Sequence, residues 1–452
     1  MEKPPKRKLI VVITNNFAAI NLVHSGFIQK LADKHDLYII SDIIGDQEIV
    51  LINRYFEIDL NLLNVRVPAE PMMLRFVRFI EKTMFFLVFK TNTHKIKMAE
   101  RSSLVRSLFQ GLNMIVGPFA VRHFILKCIR NFIIFLSARL CKCDPASYTG
   151  FSGVISSSPL DIRENIIVNR LALLNTPALA IIISWDNLTS KGIINANHQY
   201  VMVWNEFMAC EFENFYADFH PRPRLCITGI PRFDIYFRKQ TPNFLEMSKR
   251  KRFPVGTAKV ILYATSAPRH FPEQADIVDD LLEYCRVRGS AELRIRLHPA
   301  DKQENYKRLG LYNSIQFSFA GDNGRFPELN YLESLADTLN ACHVCVQVAS
   351  TMRLDAAACK KPVISIRYDG RNKLPYGGSV RRLYDYSHQL PVNELSIDKM
   401  VDSKQELFFC LDEVLNNASD YSGNERLIQL LAHFDKACSV STMIRNVEEW
   451  LG

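Results

Sequence analysis

The stretch 178-ALAIIISWDNLTSKG-192 decides the fold. Ala178 to Ile183 is a continuous apolar run that stops in a polar loop closed by Gly192. A second strand-like run, Tyr200 to Trp204, follows it. Unbroken apolar runs of this length read as strands buried on both faces, as in a parallel sheet. The loop then lies at the C-terminal end of its strand, where open α/β sheets bind ligands. Within nine residues it carries an aromatic ring (Trp185), a carboxylate (Asp186), an amide (Asn187), hydroxyls and an ammonium (Lys191).

The same strand–loop–helix pattern recurs on both sides. Upstream, Leu9–Thr14 reads as a strand, Asn15–Gly26 as a loop, Phe27–Lys34 as a helix and Asp36–Ser41 as a second strand. That βαβ opening is Rossmann-like, but it lacks G-x-G-x-x-G, which removes support for NAD or FAD. A third strand is expected over Tyr55–Leu60. Further strands are expected at Gly153–Ser158, Gln199–Trp204 and Arg224–Thr228, with helices over Asp161–Leu174 and from Glu206 to Tyr216. Residues 239–256 read as a linker, with Pro242, Pro254 and the charged cluster Lys249–Arg252. The pattern then restarts with strands at Lys259–Ala264, Glu292–Leu297, Ser314–Phe319, His343–Val348 and Pro362–Ile366. A helical region from Ser403 to Leu451 closes the chain. At 452 residues the chain exceeds one core. The expectation is α/β with two Rossmann-like domains, 1–238 and 257–452, and a ligand-binding cleft between them.

Composition narrows the function classes. Apolar content of 48% and charged content of 23% are those of a globular chain. The start, Met1 to Lys8 followed by a short strand, does not read as a secretory leader, so a cytoplasmic chain with free thiols among its 11 Cys is expected. Cys141 with Cys143, and Cys342 with Cys345 around His343, do not assemble a full tetrahedral set, so no metal is expected. No cofactor is expected either. The net charge of +9 is local, with 13 Lys/Arg against three Asp/Glu in 71–145. This segment reads as a basic helical insertion rich in Phe, Leu and Ile. Arg75, Arg78 and Lys82 fall at helical spacing, as do Lys127 and Arg130. Its apolar pieces, Met84–Phe89 and Phe132–Leu136, are far shorter than the ~20 residues of a spanning helix. Such a segment either lies in the interface of an anionic leaflet or covers the sheet with its charges solvated. No recognised motif accompanies the charge, so nucleic acid is not an expected partner.

The loops carry the chemistry. In the second half, Thr265-Ser266 with Arg269, then His298-Pro299, then Ser350-Thr351 end successive strands. Loops of one parallel sheet converge on one rim, and imidazole, guanidinium and helix-start hydroxyls there suit a phosphate or pyrophosphate. A plain helix cap is the alternative for Ser350-Thr351. Asp355, one turn on, is placed to accept from ribose hydroxyls or to serve as a helix-start carboxylate. In the first half, a sugar or polyol acceptor needs a base. Asp186 is the best-placed carboxylate, and Trp185 beside it would desolvate it; an Asx-turn is its alternative role. Lys191 suits a pairing role, and Glu206 and His24 are further acceptor-side candidates.

At these residues a family resemblance enters. The run from Ala178 to Asp369 resembles CDP-glycerol glycerophosphotransferases and, more broadly, CMP-releasing GT-B capsule transferases, bacterial polysialyltransferases included. Their W-H-G-T-P-L-K loop is similar to Trp185–Lys191, and their G-x-P-R-x-D segment to Gly229, Pro231, Arg232 and Asp234. Their Y-A-P-T-x-R strand end resembles Tyr263, Ala264 and Thr265 with Arg269 displaced. The HP and paired-hydroxyl motifs correspond to His298-Pro299 and Ser350-Thr351. The resemblance implies a GT-B fold and metal-independent transfer from a nucleotide-activated donor. With the basic helical segment to dock the chain, the expected acceptor is a surface polysaccharide or lipid-linked glycan, met at the cytoplasmic face of the inner membrane. One departure is chemical: the family's His base is replaced by Asp186. A UDP-sugar 2-epimerase of the same fold and a non-catalytic nucleotide- or glycan-binding partner are the alternatives.

Overall fold

The structure is a computed structural model that describes residues 5–101, 103, 106, 107, 111, 118–140, 145–237, 258–309, 316–319, 326–416 and 439–452. The chain divides into two compact units, Met1–Arg232 with His433–Gly452, and Phe233–Ala432. The expected linker over 239–256 and the Cys141–Cys143 pair lie outside the described residues.

In the first unit the apolar runs become β1 (Arg7–Ile13), β2 (His35–Ser41), β3 (Leu60–Leu62), β4 (Gly153–Ser156), β5 (Ala178–Ile181), β6 (Tyr200–Val203) and β7 (Arg224–Ile227). They form a seven-stranded sheet in the order β3-β2-β1-β4-β5-β6-β7, every pair parallel. Val11 lies opposite Ile39 on one side and Ile155 on the other, all buried. Burial on both faces is why these strands read as unbroken apolar runs rather than alternating ones. The strand order reverses between β1 and β4, so the loops leaving those two strands diverge and open a crevice, the switch point of an α/β sheet.

Two expectations fail here. The loop predicted over Asn15–Gly26 is helical, with a short turn at Asn16–Ala19 and a π-helical turn at Ile20–His24. Asn15 caps it by accepting from the Ala18 N–H. Helix α1 (Phe27–Ala32) follows. The strand predicted over Tyr55–Leu60 is instead the end of α2 (Asp46–Phe56), with β3 beginning at Leu60. The 49/52 apolar pair of α2 faces the core, a helical spacing that outweighs the local β-like run.

The basic segment supplies α3 (Met72–Phe89), α4 (Asn92–Ala99) and α5 (Phe119–Leu140). Leu74 of α3 and Ile133 of α5 pack with Ile162 and Ile166 of α6 (Ile162–Ala172). The short α7 (Asn187–Ser190) and α8 (Glu206–Tyr216) follow β5 and β6. No described helix is long and apolar enough to cross a membrane.

The second unit has β8 (Lys259–Ala264), β9 (Ala291–Leu297), β10 (Gln316–Phe319), β11 (Val344–Gln347), β12 (Val363–Ile366) and β13 (Lys399–Val401). These make a six-stranded parallel sheet in the order β10-β9-β8-β11-β12-β13, whose switch point falls between β8 and β11. Helices α9 (Gln274–Arg288), α10 (Tyr331–Ala341), α11 (Met352–Ala358) and α12 (Lys404–Asn416) accompany it. Tyr263 of β8 is fully buried between Ile295 and Val346. Within this unit Arg353 of α11 is sealed from solvent. It donates to Gln389, Asn393 and Asp398, the last at 2.7 Å.

The final helix, α13 (Ser439–Leu451), corrects the expected domain plan. It belongs to the first unit rather than to 257–452. Val440, Met443, Ile444 and Val447, spaced as one helical face, are buried. Its polar face is tied to the first unit as well: His35 meets Glu448 at 2.8 Å, and Arg224 meets Glu449 at 2.8 Å. Trp450 lies over Gly153 of β4, where an added Cβ would stand 2.4 Å from the indole. Only glycine leaves room for that ring.

Replacing Arg353 tests the core of the second unit. Arg353→Met strands the buried Asp398 carboxylate and should cost about 3–5 kcal/mol in urea unfolding. Arg353→Met with Asp398→Asn should recover part of that loss. Single-variant stability equal to wild type would contradict the pairing.

Candidate functional site

In the first unit the strand-end loops converge on polar side chains. Asp186 ends the turn after β5. Its Oδ1 accepts from Ser184 Oγ at 2.5 Å and its Oδ2 from Ser190 Oγ at 3.1 Å. The carboxylate therefore organises its own loop, as an Asx residue does, while remaining partly exposed. Trp185 and Asn187 flank it and are buried. Asn187 Oδ1 is buried without a hydrogen-bond partner. Lys191 is exposed. Glu206 is an exposed first-turn residue of α8, whose cap is Asn205 accepting from the Met208 N–H. His24 departs from expectation. It is buried in the π-helical turn with Nδ1 3.1 Å from Ala19 O, not displayed on a loop.

The residue that the sequence did not single out is Glu211. It lies on α8 between Met208 and Phe215, at the edge of the face that enters the core. Its Oε2 is buried with no hydrogen-bond partner. Burial, and then the Asp186 charge nearby, push its carboxyl from 4.5 up to about 8. The signal was present in the sequence as an acid at apolar helical spacing. Its raised proton affinity leaves most of Glu211 uncharged at neutral pH. Asp186 on the loop after β5 and the protonated Glu211 of α8 thus lie within electrostatic reach of each other, the two components of proton transfer.

A second carboxyl group, Glu164 of α6, closes the switch point. It accepts from Thr14 Oγ1 at 2.7 Å, Ser156 Oγ at 2.7 Å, Ser157 Oγ at 3.1 Å and the Ser158 N–H at 2.8 Å. Burial outweighs these donors and raises it to about 7. It fixes the ends of β1 and β4 to each other and to α6. Arg163, next to it, donates to Asp161, Asp42 and the Thr14 carbonyl.

The segment that follows the Asp186 loop is held by α3, α4 and α5 of the basic insertion. Thr91 Oγ1, at the start of α4, donates to Thr189 O at 3.3 Å. Glu81 of α3, fully buried, accepts from the Ile193 N–H at 2.9 Å, and burial raises its carboxyl to about 7. Arg130 of α5 donates to Ile194 O at 2.8 Å and to Ala196 O and Asn197 Oδ1 at 3.0 Å each. Gly192 sits at φ +90°, and a Cβ there would stand 2.9 Å from Glu81 Oε1, so the close approach requires glycine.

In the second unit, the loops after β8, β9 and β11 leave neighbouring strands of one sheet. Thr265 Oγ1 accepts from the His298 N–H at 2.8 Å, which joins two of them. Ser266 is locked to Gln274 by a reciprocal pair of bonds, 2.8 and 2.9 Å. His298 has its tautomer set: the Ala300 N–H donates to Nδ1 at 3.0 Å, so Nε2 carries the proton. Burial, chiefly, lowers its pKa and keeps it a neutral donor. Arg269 and Pro299 are exposed, with Arg269 Nε 3.1 Å from His270 Nε2. After β11, Ala349 takes a left-handed φ of +37°, a strained conformation for a side-chain-bearing residue. Ser350 accepts from the Met352 N–H and donates to Gln347, while Thr351 makes no side-chain cap. Asp355 lies inside the first turn of α11. It is 1% exposed and accepts from Tyr236 OH at 2.7 Å, a bond internal to this unit. Cys342 and Cys345 are buried, and His343 Nδ1 accepts from the Val260 N–H. Among the described residues no group of three or more His, Cys, Asp or Glu could hold a metal ion.

No family model and no curated protein matches the chain. Solved structures do. The UDP-GlcNAc 2-epimerase of Neisseria meningitidis, bound to UDP-GlcNAc, aligns at TM-score 0.54 and 15% identity over 98% of this chain and 99% of that one. That of Methanocaldococcus jannaschii, with UDP-GlcNAc and UDP, aligns at 0.52 and 11% over 98% and 99%. Anabaena Alr3699/HepE, with UDP and glucose, aligns at 0.50 and 11% over 98% and 99%. The chain has the GT-B fold, two parallel-sheet α/β domains. At these identities the likeness is one of fold.

Glu211 gives a titration test. The unfolded chain loses this proton near 4.5 and the folded chain near 8. Between those values only the folded chain holds it, so its contribution to stability falls as pH rises. Glu211→Gln should flatten the pH dependence of urea unfolding between about pH 5 and about pH 8. An unchanged slope would contradict the protonated carboxyl.

Proposed function

We propose that the chain is a metal-independent glycosyltransferase. It moves a sugar, or a polyol-phosphate, from a nucleotide-activated donor to a growing surface polysaccharide or lipid-linked glycan. The observation that carries this reading is Asp186 on the loop after β5, partly exposed and held by Ser184 and Ser190, with Glu211 of α8 within reach of its charge. Asp186 is the base that takes the proton of the acceptor hydroxyl, and Glu211 is the neighbouring acid that keeps a second negative charge out of the site. Trp185, Asn187, Lys191 and Glu206 remain acceptor-side candidates, with His24 behind them, buried against the Ala19 carbonyl. In the second unit Thr265, Ser266, His298, Ser350 and Thr351 are the proposed donor-phosphate residues, with Arg269 and Pro299 at their exposed edge. His298 contributes a neutral Nε2–H donor, which can bind a phosphate oxygen without a change in its own protonation. The resemblance of the strand-end motifs to CMP-releasing transferases points to a CMP- or CDP-linked donor. The UDP complexes among the structural neighbours support a UDP-linked one. We place the reaction on the cytoplasmic side, where the acceptor meets the inner face of the membrane.

A UDP-sugar 2-epimerase is the second reading, favoured by the epimerases among the structural neighbours. It uses the same carboxyl pair for proton transfer at a sugar carbon and requires no acceptor. Incubation with UDP-sugars separates the two. Epimer formed without acceptor supports the second reading, and acceptor-dependent nucleotide release supports the first.

Asp186→Asn should lower turnover by about 10²–10⁴-fold while nucleotide affinity stays within about twofold, by isothermal titration. Wild-type turnover in that variant would remove the base assignment. His298→Ala should weaken nucleotide binding by about tenfold. Unchanged affinity would remove His298 from the donor site.

A further inference from the structure

The basic helices have two faces with opposite fates. Their inner faces are consumed by the fold: Leu74 and Ile133 join the α6 core, and Glu81, Thr91 and Arg130 hold residues 189–197. Their outer faces carry large apolar side chains in solvent. On α3, Met72 is 86% exposed, Phe76 64% and Phe79 69%, with Ile80 beside them. Spacings of four, three and one along a helix put these on one side. On α5, Val121, Phe124, Phe132 and Phe135 are exposed, Phe124 at 67%, again at the spacing of a single helical stripe. Folded chains seldom leave such a concentration of Phe and Met in water without a binding role.

Charge specifies what covers it. The segment has ten more Lys/Arg than Asp/Glu, and Glu81, one of its three acids, is buried away from the surface. Arg75 is exposed on α3 among the apolar residues, with its guanidinium 3.6 Å from Glu70. On α5 the Arg139 guanidinium stands 3.6 Å from the centre of the exposed Phe135 ring. Lys90 and Lys95 are exposed between the two helices in sequence. Aromatic and Met side chains that enter a headgroup layer, bordered by cations that meet lipid phosphates, are the features of an interfacial membrane anchor.

We propose that the outer face of α3 and α5 docks on the surface of an anionic lipid bilayer, with the apolar stripes entering the interface and the bordering Arg and Lys on lipid phosphates. The inner faces of the same helices carry residues 189–197, so the docked surface and the segment following the Asp186 loop share one rigid support. The inference stands apart from the nucleotide reading, because lipid binding needs neither donor nor turnover.

The test is co-sedimentation of the full chain with vesicles of phosphatidylcholine alone and of phosphatidylcholine with phosphatidylglycerol. Binding should require phosphatidylglycerol and weaken with added salt. Phe76→Ser with Phe79→Ser should lower the partition coefficient by at least about tenfold. Arg75→Glu with Arg139→Glu should lower it by at least about fivefold for each site. All four positions are exposed, and unchanged thermal melting curves would show that the variants fold. Three results would overturn the proposal: no binding to either vesicle, equal binding to both, or wild-type binding by both variants. A fourth is a dimer in light scattering that Phe76→Ser with Phe79→Ser dissociates, with no lipid binding. That would assign the face to a second copy of the chain.

Discussion

Glu81 is the interaction on which the first unit's site depends. A helix of the basic insertion reaches the chain just beyond the β5 loop through this one buried carboxyl group, which takes the Ile193 N–H. Burial raises its proton affinity to about 7, so near neutrality much of it is uncharged and its place in the interior costs less. The close approach in turn demands Gly192, whose left-handed backbone leaves the space that any side chain would fill. Arg130 adds three bonds on the next few residues. Asp186 ties the near end of that loop through the Ser184 and Ser190 hydroxyls, while its far end is anchored by the helices of the insertion. The insertion is thus a structural component of the site, not an appendage on the sheet.

Both sheets use one geometric rule. In each, the strand order reverses beside the first strand, between β1 and β4 and between β8 and β11. Glu164 occupies the first of these positions and gathers donors from both flanking loops. At the second, Thr265 ties the β8 loop to His298, while the β11 loop carries the strained Ala349 beside Ser350. Polar groups accumulate there because strand ends leave backbone N–H groups without ladder partners, and diverging loops leave a space to satisfy them.

What could be read from the sequence follows from periodicity. Strands buried on both faces announce themselves as unbroken apolar runs, so β1, β5, β8 and β11 were legible, and with them the loops carrying Asp186, Thr265 and Ser350. Glu211 was hidden because an acid inside the pattern of α8 looks like a surface residue until the helix is oriented. The allegiance of α13 was hidden for a related reason. Its apolar face was evident, but which sheet it covers is settled by partners distant in sequence, such as His35 and Gly153. The burial of His24 and Asp355 was hidden because polar residues near strand ends read as displayed, whereas each is buried against its own unit. Local propensity could not have revealed either contact.

The central claim is that this is a nucleotide-sugar enzyme, and thermal unfolding in the presence of nucleotides tests it most directly. A ligand that binds only the folded chain raises its apparent stability, by about 2.7 kcal/mol at a hundred times its dissociation constant. CMP, CDP, UDP and GDP added separately to the full chain should give one clear rise in melting temperature, from a pyrimidine nucleotide, and that rise should shrink in His298→Ala. A melting temperature unmoved by all four nucleotides at millimolar concentration would contradict the account.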